Sequence, residues 1–158
     1  MKNYVLKIKL ENTDISRTVA IPADYGFFDL HEVIQIVFGW EDYYFHEFNI
    51  AGVTIADDDN DDNYLLPERY KYEYECNLEF FLMNAKKFSY TYDVEQPWVH
   101  DIEVEGILEE GFDLPVLLES EGVMVVETPA DDGETQVTYG RAPDKNALNI
   151  ELKRTFTS

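Results

Sequence analysis

Apolar and polar residues alternate along three stretches of this chain, and the alternation favours a sheet over a helical bundle. In the stretch 4–10 every even-numbered position is apolar, while Lys7 and Lys9 occupy odd-numbered positions. The same two-residue period returns at 88–94 and 98–108. Such alternation is typical of strands with one buried face and one solvated face. Shorter β-favouring runs predict further strands at 17–21, 45–50, 53–55 and 123–126.

One stretch, 29–39, instead repeats its apolar residues with the period of an α-helix. Asp29 is a suitable N-cap, and Gly39 stands where a C-terminal glycine belongs. The apolar positions at i, i+3, i+4, i+7 and i+8 are Leu30, Val33, Ile34, Val37 and Phe38. This spacing predicts a helix with one buried side.

Two further helices are predicted, a short one at 78–85 capped by Asn77 and a closing one after Pro143. Strands outnumber helices, and the two do not alternate as they do in parallel α/β proteins. We therefore expect an α+β fold in which residues 1–158 form a single compact domain. Its mainly antiparallel sheet packs against two or three helices.

Charge limits the partners of this chain. Twelve Lys and Arg residues stand against 33 Asp and Glu residues, which gives a formal net charge of −21. A surface of this kind repels phosphate backbones, so we expect no direct nucleic-acid binding. Between Lys87 and Arg141 there is no Lys or Arg, which predicts a broad acidic face suited to a basic protein partner. The cations of the first two strands predict a mildly basic edge.

The cellular compartment is predicted from features that the sequence lacks. Cys76 is the one cysteine, so no intrachain disulfide forms, and its acidic neighbours are the wrong setting for a nucleophile. The alternating first residues do not resemble a signal peptide, and no apolar run approaches the length of a membrane span. We expect a cytoplasmic protein without membrane contact.

The histidines are the first candidates for a functional site. The three histidines are His31 on the predicted helix, and His46 and His100 on predicted strands. Imidazoles together with carboxylates such as Asp93, Glu47 or Asp101 are the ligands of a transition-metal site. A divalent metal is the cofactor that this hypothesis implies, and it requires the three imidazoles to converge in the fold. The alternative is that the histidines are structural and bond to backbone carbonyls.

An acidic loop is a second, weaker candidate for binding a cation. Asp57, Asp59, Asp61 and Glu68 have the stagger of an EF-hand-like loop. However, Asp62 occupies the position where glycine permits the sharp turn, and no flanking helices are predicted. A solvated acidic loop is the favoured interpretation.

The order of four motifs resembles the plasmid pRiA4b ORF-3-like family. They are L-H-x-x-I-Q-x-x-F-G-W at 30–40, YYFHEFNI at 43–50, FSYTYDVEQPWVHDIEVE at 88–105 and LPVLLESEGVMVVETPADDGE at 114–134. The resemblance covers residues 4–134 and implies a compact α+β domain, found in bacteria and archaea and often associated with plasmids and insertion elements. It implies no particular reaction.

The resemblance also nominates positions for a site, because six residues here match the family pattern. They are His31, Trp40, His46, Asp93, Trp98 and His100. The chain departs from the pattern at Tyr44, where the family has a histidine, and at Glu95 and Gln96, where it has Gly-Asp.

Three hypotheses of function follow. The favoured one is a non-enzymatic acidic interaction or accessory domain, linked to a mobile element, that binds a basic protein partner. The first alternative is a metal-dependent hydrolase that uses the three histidines. The second is a nucleic-acid mimic whose spaced carboxylates imitate phosphates.

Overall fold

A mixed sheet of eight strands organises the fold. The computed structural model describes residues 1–57, 70–93, 96–129 and 135–157. The sheet contains β1 (Asn3–Leu10), β2 (Ser16–Pro22), β3 (His46–Ile50), β4 (Val53–Ala56), β5 (Tyr70–Tyr72), β6 (Lys87–Tyr92), β7 (Trp98–Leu108) and β8 (Val116–Glu121). Their order is β5-β4-β3-β6-β7-β1-β2-β8, and every pair is antiparallel except β4 with β5. A separate two-stranded sheet pairs β9 (Val125–Pro129) with β10 (Thr135–Tyr139).

Three α-helices complete the described part of the chain: α1 (Phe27–Phe38), α2 (Leu78–Leu82) and α3 (Lys145–Phe156). The apolar side of α1 packs with the even-numbered residues of β1 in a single buried core. The predicted α+β class is therefore confirmed. None of the helices in these described ranges is both long enough and apolar enough to cross a membrane.

Helix α1 starts earlier than the sequence predicts. Its N-cap is Gly26, and Asp29 accepts a hydrogen bond from Gly26 N at 2.9 Å from inside the first turn. The aspartate thus stabilises the helix start without being the cap. The helix ends as predicted at Gly39, where φ is +100° and an added Cβ would lie 2.6 Å from the Val125 carbonyl oxygen.

The predicted basic edge is wrong, because β1 lies inside the sheet between β7 and β2. On the face opposite the core, Lys7 stands across from Glu103, and Lys9 stands across from Asp101. Lys87 on β6 also stands across from Glu103. Opposite charges on neighbouring strands stabilise the pairing, so this face is of mixed charge.

Arg17 is a fully buried cation that joins three parts of the chain. Its guanidinium donates to the carbonyls of Val37 at the end of α1 (2.6 Å), Glu121 (2.9 Å) and Val123 (2.8 Å), and to Ser16 beside it (2.8 Å). Burial lowers the pKa of Arg17 from 12.5 to about 10, so the group stays charged at neutral pH. The planar fork of arginine suits several fixed carbonyls at once.

The outer strand β8 is covered by α3, the predicted closing helix. Asp144 caps α3 by accepting from Ala147 N at 3.1 Å. Asn149 on this helix accepts from Leu117 N at 2.7 Å and donates to Leu117 O at 3.1 Å. The side-chain amide of Asn149 therefore bonds to both the backbone N–H and the backbone carbonyl of Leu117.

Candidate metal centre

His31 and His46 meet above the sheet with their rings in parallel contact. The ring centroids are 3.5 Å apart, and the planes differ by 9°. His31 lies on the buried side of α1, and His46 is the first residue of β3. Both side chains are buried. Residues from two separate elements are thus brought to one point.

A carboxylate contacts each of these imidazoles. His31 Nε2 lies 3.2 Å from Asp42 Oδ1, and His46 Nε2 lies 2.8 Å from Glu73 Oε2. One ligand atom from each of His31, Asp42 and His46 falls within 4.8 Å of the others, a spacing that a single ion can bridge. The carboxylates that sequence reasoning offered to the histidines were Asp93, Glu47 and Asp101, whereas the contacts seen are to Asp42 and Glu73.

The two carboxylates differ in setting. Asp42 stands at the surface and has a φ of +55°, a left-handed conformation that is uncommon outside glycine and concentrates at functional positions. Glu73 lies in a one-turn 3-10 helix after β5 and is fully buried. Its Oε1 has no hydrogen-bond partner among the described residues. A buried carboxylate oxygen left in this way is costly unless a ligand binds it.

Hydrogen bonds with Tyr90 and Gln35 fix His31 and Asp42. The Tyr90 hydroxyl lies 2.7 Å from His31 Nδ1 and accepts from Gln35 Nε2 at 3.0 Å. Gln35 Oε1 in turn accepts from Asp42 N at 2.7 Å, so one side chain fixes both a histidine partner and a carboxylate. Burial raises the pKa of Tyr90 well above its ordinary value, which keeps the phenol protonated. Burial also lowers the pKa of His31, although Asp42 acts against it, so the ring is neutral and able to bind a metal.

The third histidine, His100, has a different environment. Trp40 Nε1 donates to its Nε2 at 3.0 Å, and its Nδ1 lies 3.1 Å from the Tyr90 carbonyl oxygen. Its ring contacts the Tyr90 ring at a centroid distance of 5.2 Å and is fully buried. With both nitrogens bonded to protein groups, His100 has the contacts of a structural residue. The structure therefore brings together two of the three candidate imidazoles, so the three-histidine site that the hydrolase hypothesis required does not form, and an ion here would be held by His31 and His46 with Asp42.

The remaining nominated residues lie around this pair. Trp98 packs against Trp40 at a centroid distance of 5.5 Å. Asp93 has a φ of +67° and accepts from Gln96 N at 3.4 Å in the turn after β6. Of the weak cation loop, Asp57 is described and lines the cavity beside the histidines. Asp59, Asp61 and Glu68 lie outside the described residues.

The pair opens into a cavity of about 330 Å³. Its lining residues are Phe28, His31, Asp42, Tyr43, Tyr44, Phe45, His46 and Asp57. A larger groove of about 730 Å³ beside α2 is lined by residues such as Phe80 and Met83. No histidine lines that groove among the described residues, so we place the candidate chemistry in the smaller cavity.

Sequence reasoning missed Asp42, Glu73, Tyr90 and Gln35. One signal was available, since His31 and Gln35 are polar residues one helical turn apart on the otherwise apolar side of α1. Two polar residues on a buried stripe indicate a buried network. Asp42 and Glu73 could not be singled out in this way, because they are two of the 12 acidic residues at 41–80.

His100 gives a pH prediction. Burial lowers its pKa from 6.5 to about 4, so the unfolded chain binds a proton in this range before the folded one does. Its contribution to stability is full above pH 6.5 and is lost as the pH falls toward 4, by about 3 kcal/mol in all. His100→Gln keeps a neutral acceptor and donor but does not titrate. Urea unfolding from pH 7 to 4 should show the wild type losing more stability than this variant, and parallel profiles would contradict the assignment.

Comparisons with known proteins agree with the motifs. A family model described as plasmid pRiA4b ORF-3-like protein matches residues 2–139. The uncharacterized protein y4hQ of Sinorhizobium fredii (strain NBRC 101917 / NGR234) is 29% identical over 124 residues, which are 74% of this chain and 61% of that protein. The chain thus spans less than two thirds of the length of this relative.

A solved structure also matches the fold. The crystal structure of a protein of unknown function, MM3350 from Methanosarcina mazei Go1, has a TM-score of 0.66 and 30% sequence identity. The match covers 84% of this chain and 75% of that chain. Because the family model spans most of the sequence and includes the motifs that carry both histidines, the chain belongs to the plasmid pRiA4b ORF-3-like family.

Proposed function

We propose that this protein is a metal-dependent hydrolase whose ion, of the Zn²⁺ type, is held by His31, His46 and Asp42, with Glu73 behind them. The observation that supports this most is the meeting of two imidazoles and a surface carboxylate within 4.8 Å in the lining of one cavity. Imidazole nitrogens and carboxylate oxygens are ligands that Zn²⁺ and related ions prefer. The sequence alone favoured a non-enzymatic interaction domain, and this convergence favours the enzymatic alternative.

Each imidazole has one nitrogen for the ion and one for the protein. His31 Nδ1 is directed to the Tyr90 hydroxyl, which leaves Nε2, the nitrogen nearest Asp42, as the ligand. His46 Nε2 is bonded to Glu73, which leaves Nδ1. A buried carboxylate behind a ligating histidine fixes the ring and makes it a stronger base, as in carboxylate–histidine–zinc arrangements.

With three protein ligands, an ion of the Zn²⁺ type would keep one position open for water. A bound divalent ion would lower the pKa of that water to about 7, so that hydroxide would form at neutral pH. Attack of this hydroxide on a carbonyl carbon would form a C–O bond and break the bond to the leaving group, which would take up the hydroxide's proton. With one carboxylate oxygen on the ion, Asp42 would keep its other oxygen to carry this proton.

The test is the metal content and metal affinity of the purified protein. We expect the wild type to bind one equivalent of Zn²⁺ in competition with a chromogenic chelator. His46→Gln should weaken binding by roughly a hundredfold or more, because it removes a direct ligand. Co²⁺ loading should give the visible absorption of a tetrahedral site in the wild type and not in the variant.

Asp101→Asn is the matched control, since it removes an exposed carboxylate from the opposite face of the sheet. Its Zn²⁺ affinity should equal that of the wild type. The proposal fails if the wild type binds no Zn²⁺ with a Kd below about 10 µM. It also fails if Asp101→Asn and His46→Gln lower the affinity equally.

A further inference from the structure

We infer that the cavity beside His31 and His46 binds a cationic side chain of the lysine or arginine type. That the protein also hydrolyses this ligand rests on the proposed function. The substrate is then an amide or ester next to a positively charged group. The aromatic walls that would contact the cation are distinct from the metal ligands. The cavity also gives the expected basic protein partner a place to insert one side chain.

Aromatic rings form the walls of this cavity. Tyr43, Tyr44 and Phe45 follow one another in the segment before β3, and Phe28 lies across from them on α1. Tyr43 is 52% exposed and Phe45 is 70% exposed, so both rings are accessible to a ligand beside the cavity. Aromatic faces attract ammonium and guanidinium groups, and aromatic cages for such groups are a known form of recognition.

Contacts within the fold hold three of the four aromatic residues, Tyr43, Tyr44 and Phe28. Tyr43 N donates to the Tyr92 hydroxyl at 2.8 Å, which fixes the backbone of the segment. The Tyr44 ring contacts the Tyr92 ring at a centroid distance of 6.1 Å. Phe28 stacks on Tyr74 at 4.7 Å. A wall that is already ordered loses little entropy when a ligand binds.

The acidic lining of the cavity favours a positively charged ligand. Its described lining contains the carboxylates of Asp42 and Asp57 and contains no lysine or arginine. The net charge of −21 also draws cations toward the surface. Phosphate and carboxylate ligands are disfavoured on the same grounds.

The volume limits the size of the ligand. A cavity of about 330 Å³ lies at the lower end of the range for small-molecule sites. It has room for one long side chain and its adjoining amide, and not for a nucleotide or an extended peptide. The ligand is therefore a single basic residue or a compound of that size.

Binding of three matched probes tests the inference. They are the Nα-acetyl N-methylamides of lysine, norleucine and glutamate, titrated by NMR into metal-free and Zn²⁺-loaded protein. At low salt we expect the lysine probe to bind roughly tenfold tighter than the norleucine probe, with shift changes at Tyr43 and Phe45. Phe45→Leu should weaken lysine binding several-fold and leave Zn²⁺ affinity unchanged. Phe112→Leu, at another exposed ring, should change neither.

The outcomes separate this inference from the proposed function. If His46→Gln loses Zn²⁺ but still prefers the lysine probe, the cation site stands without the metal. Equal binding of lysine and norleucine probes would overturn the inference, and so would tighter binding of the glutamate probe. The absence of saturation by the lysine probe below about 10 mM would overturn it as well, whatever the metal measurements show.

Discussion

Replacing Arg17 with methionine is expected to lower the free energy of unfolding by about 4 kcal/mol. The guanidinium is fully buried and donates to four backbone carbonyls, three of which belong to the end of α1, the last residue of β8 and the segment after it. Methionine fills the volume but leaves those carbonyls without donors, and each buried acceptor left so costs about 1–3 kcal/mol. For a chain of this size the loss corresponds to a fall in Tm of roughly 10 °C.

The measurement is urea unfolding followed by circular dichroism, with Arg141→Met as the control at an exposed arginine. Arg17→Lys keeps the charge but loses the fork, so it should recover less than half of the lost stability. It also gives a folded variant to measure if methionine prevents folding. A change below about 1 kcal/mol for Arg17→Met would contradict the role described for this residue.

The second large effect is expected at Glu73, where Glu73→Gln should weaken Zn²⁺ binding by roughly 10–100-fold. The carboxylate lies 2.8 Å from His46 Nε2 and sets the orientation of a proposed ligand. The metal-free protein should be no less stable than the wild type. An amide replaces a buried carboxylate whose Oε1 has no partner among the described residues, so a desolvation cost is removed.

If Glu73→Gln lowers Zn²⁺ affinity without lowering the stability of the metal-free protein, Glu73 serves metal binding and not folding. Glu75→Gln is the matched control, because Glu75 belongs to the same 3-10 turn but is exposed. Its affinity for Zn²⁺ should not change. An unchanged affinity in Glu73→Gln, or an equal loss in Glu75→Gln, would show that the buried carboxylate does not support the metal site.

Most of the sheet could be predicted because burial on one face leaves a period of two in the sequence. The prediction for β7 has the bounds that the structure shows, Trp98–Leu108. Strands β5, β8 and β10 were not predicted. Tyr70–Tyr72 is too short to show a period, and the alternating burial of Val116–Glu121 is not matched by alternating hydrophobicity. Their pairing depends on neighbours supplied by the fold.

The candidate site was predictable in part for a similar reason. His31 and His46 are rare residue types in matching motifs, so the sequence singles them out. Asp42 and Glu73 are two among 33 acids, and their selection depends on where a turn and a 3-10 helix come to lie. His100 shared the motif signal, but the indole of Trp40 and a backbone carbonyl occupy its nitrogens. Sequence spacing carries no information about such contacts.

The amide of Asn149 has a consequence for how this molecule meets others. It bonds to both the N–H and the carbonyl of Leu117, as a residue of an added strand would do. An outer strand with open backbone groups is a template for strand addition and for aggregation. At Leu117 that template is already filled from within the chain. A peptide or a second copy therefore cannot extend the sheet through this residue, and recognition on this side has to use side chains.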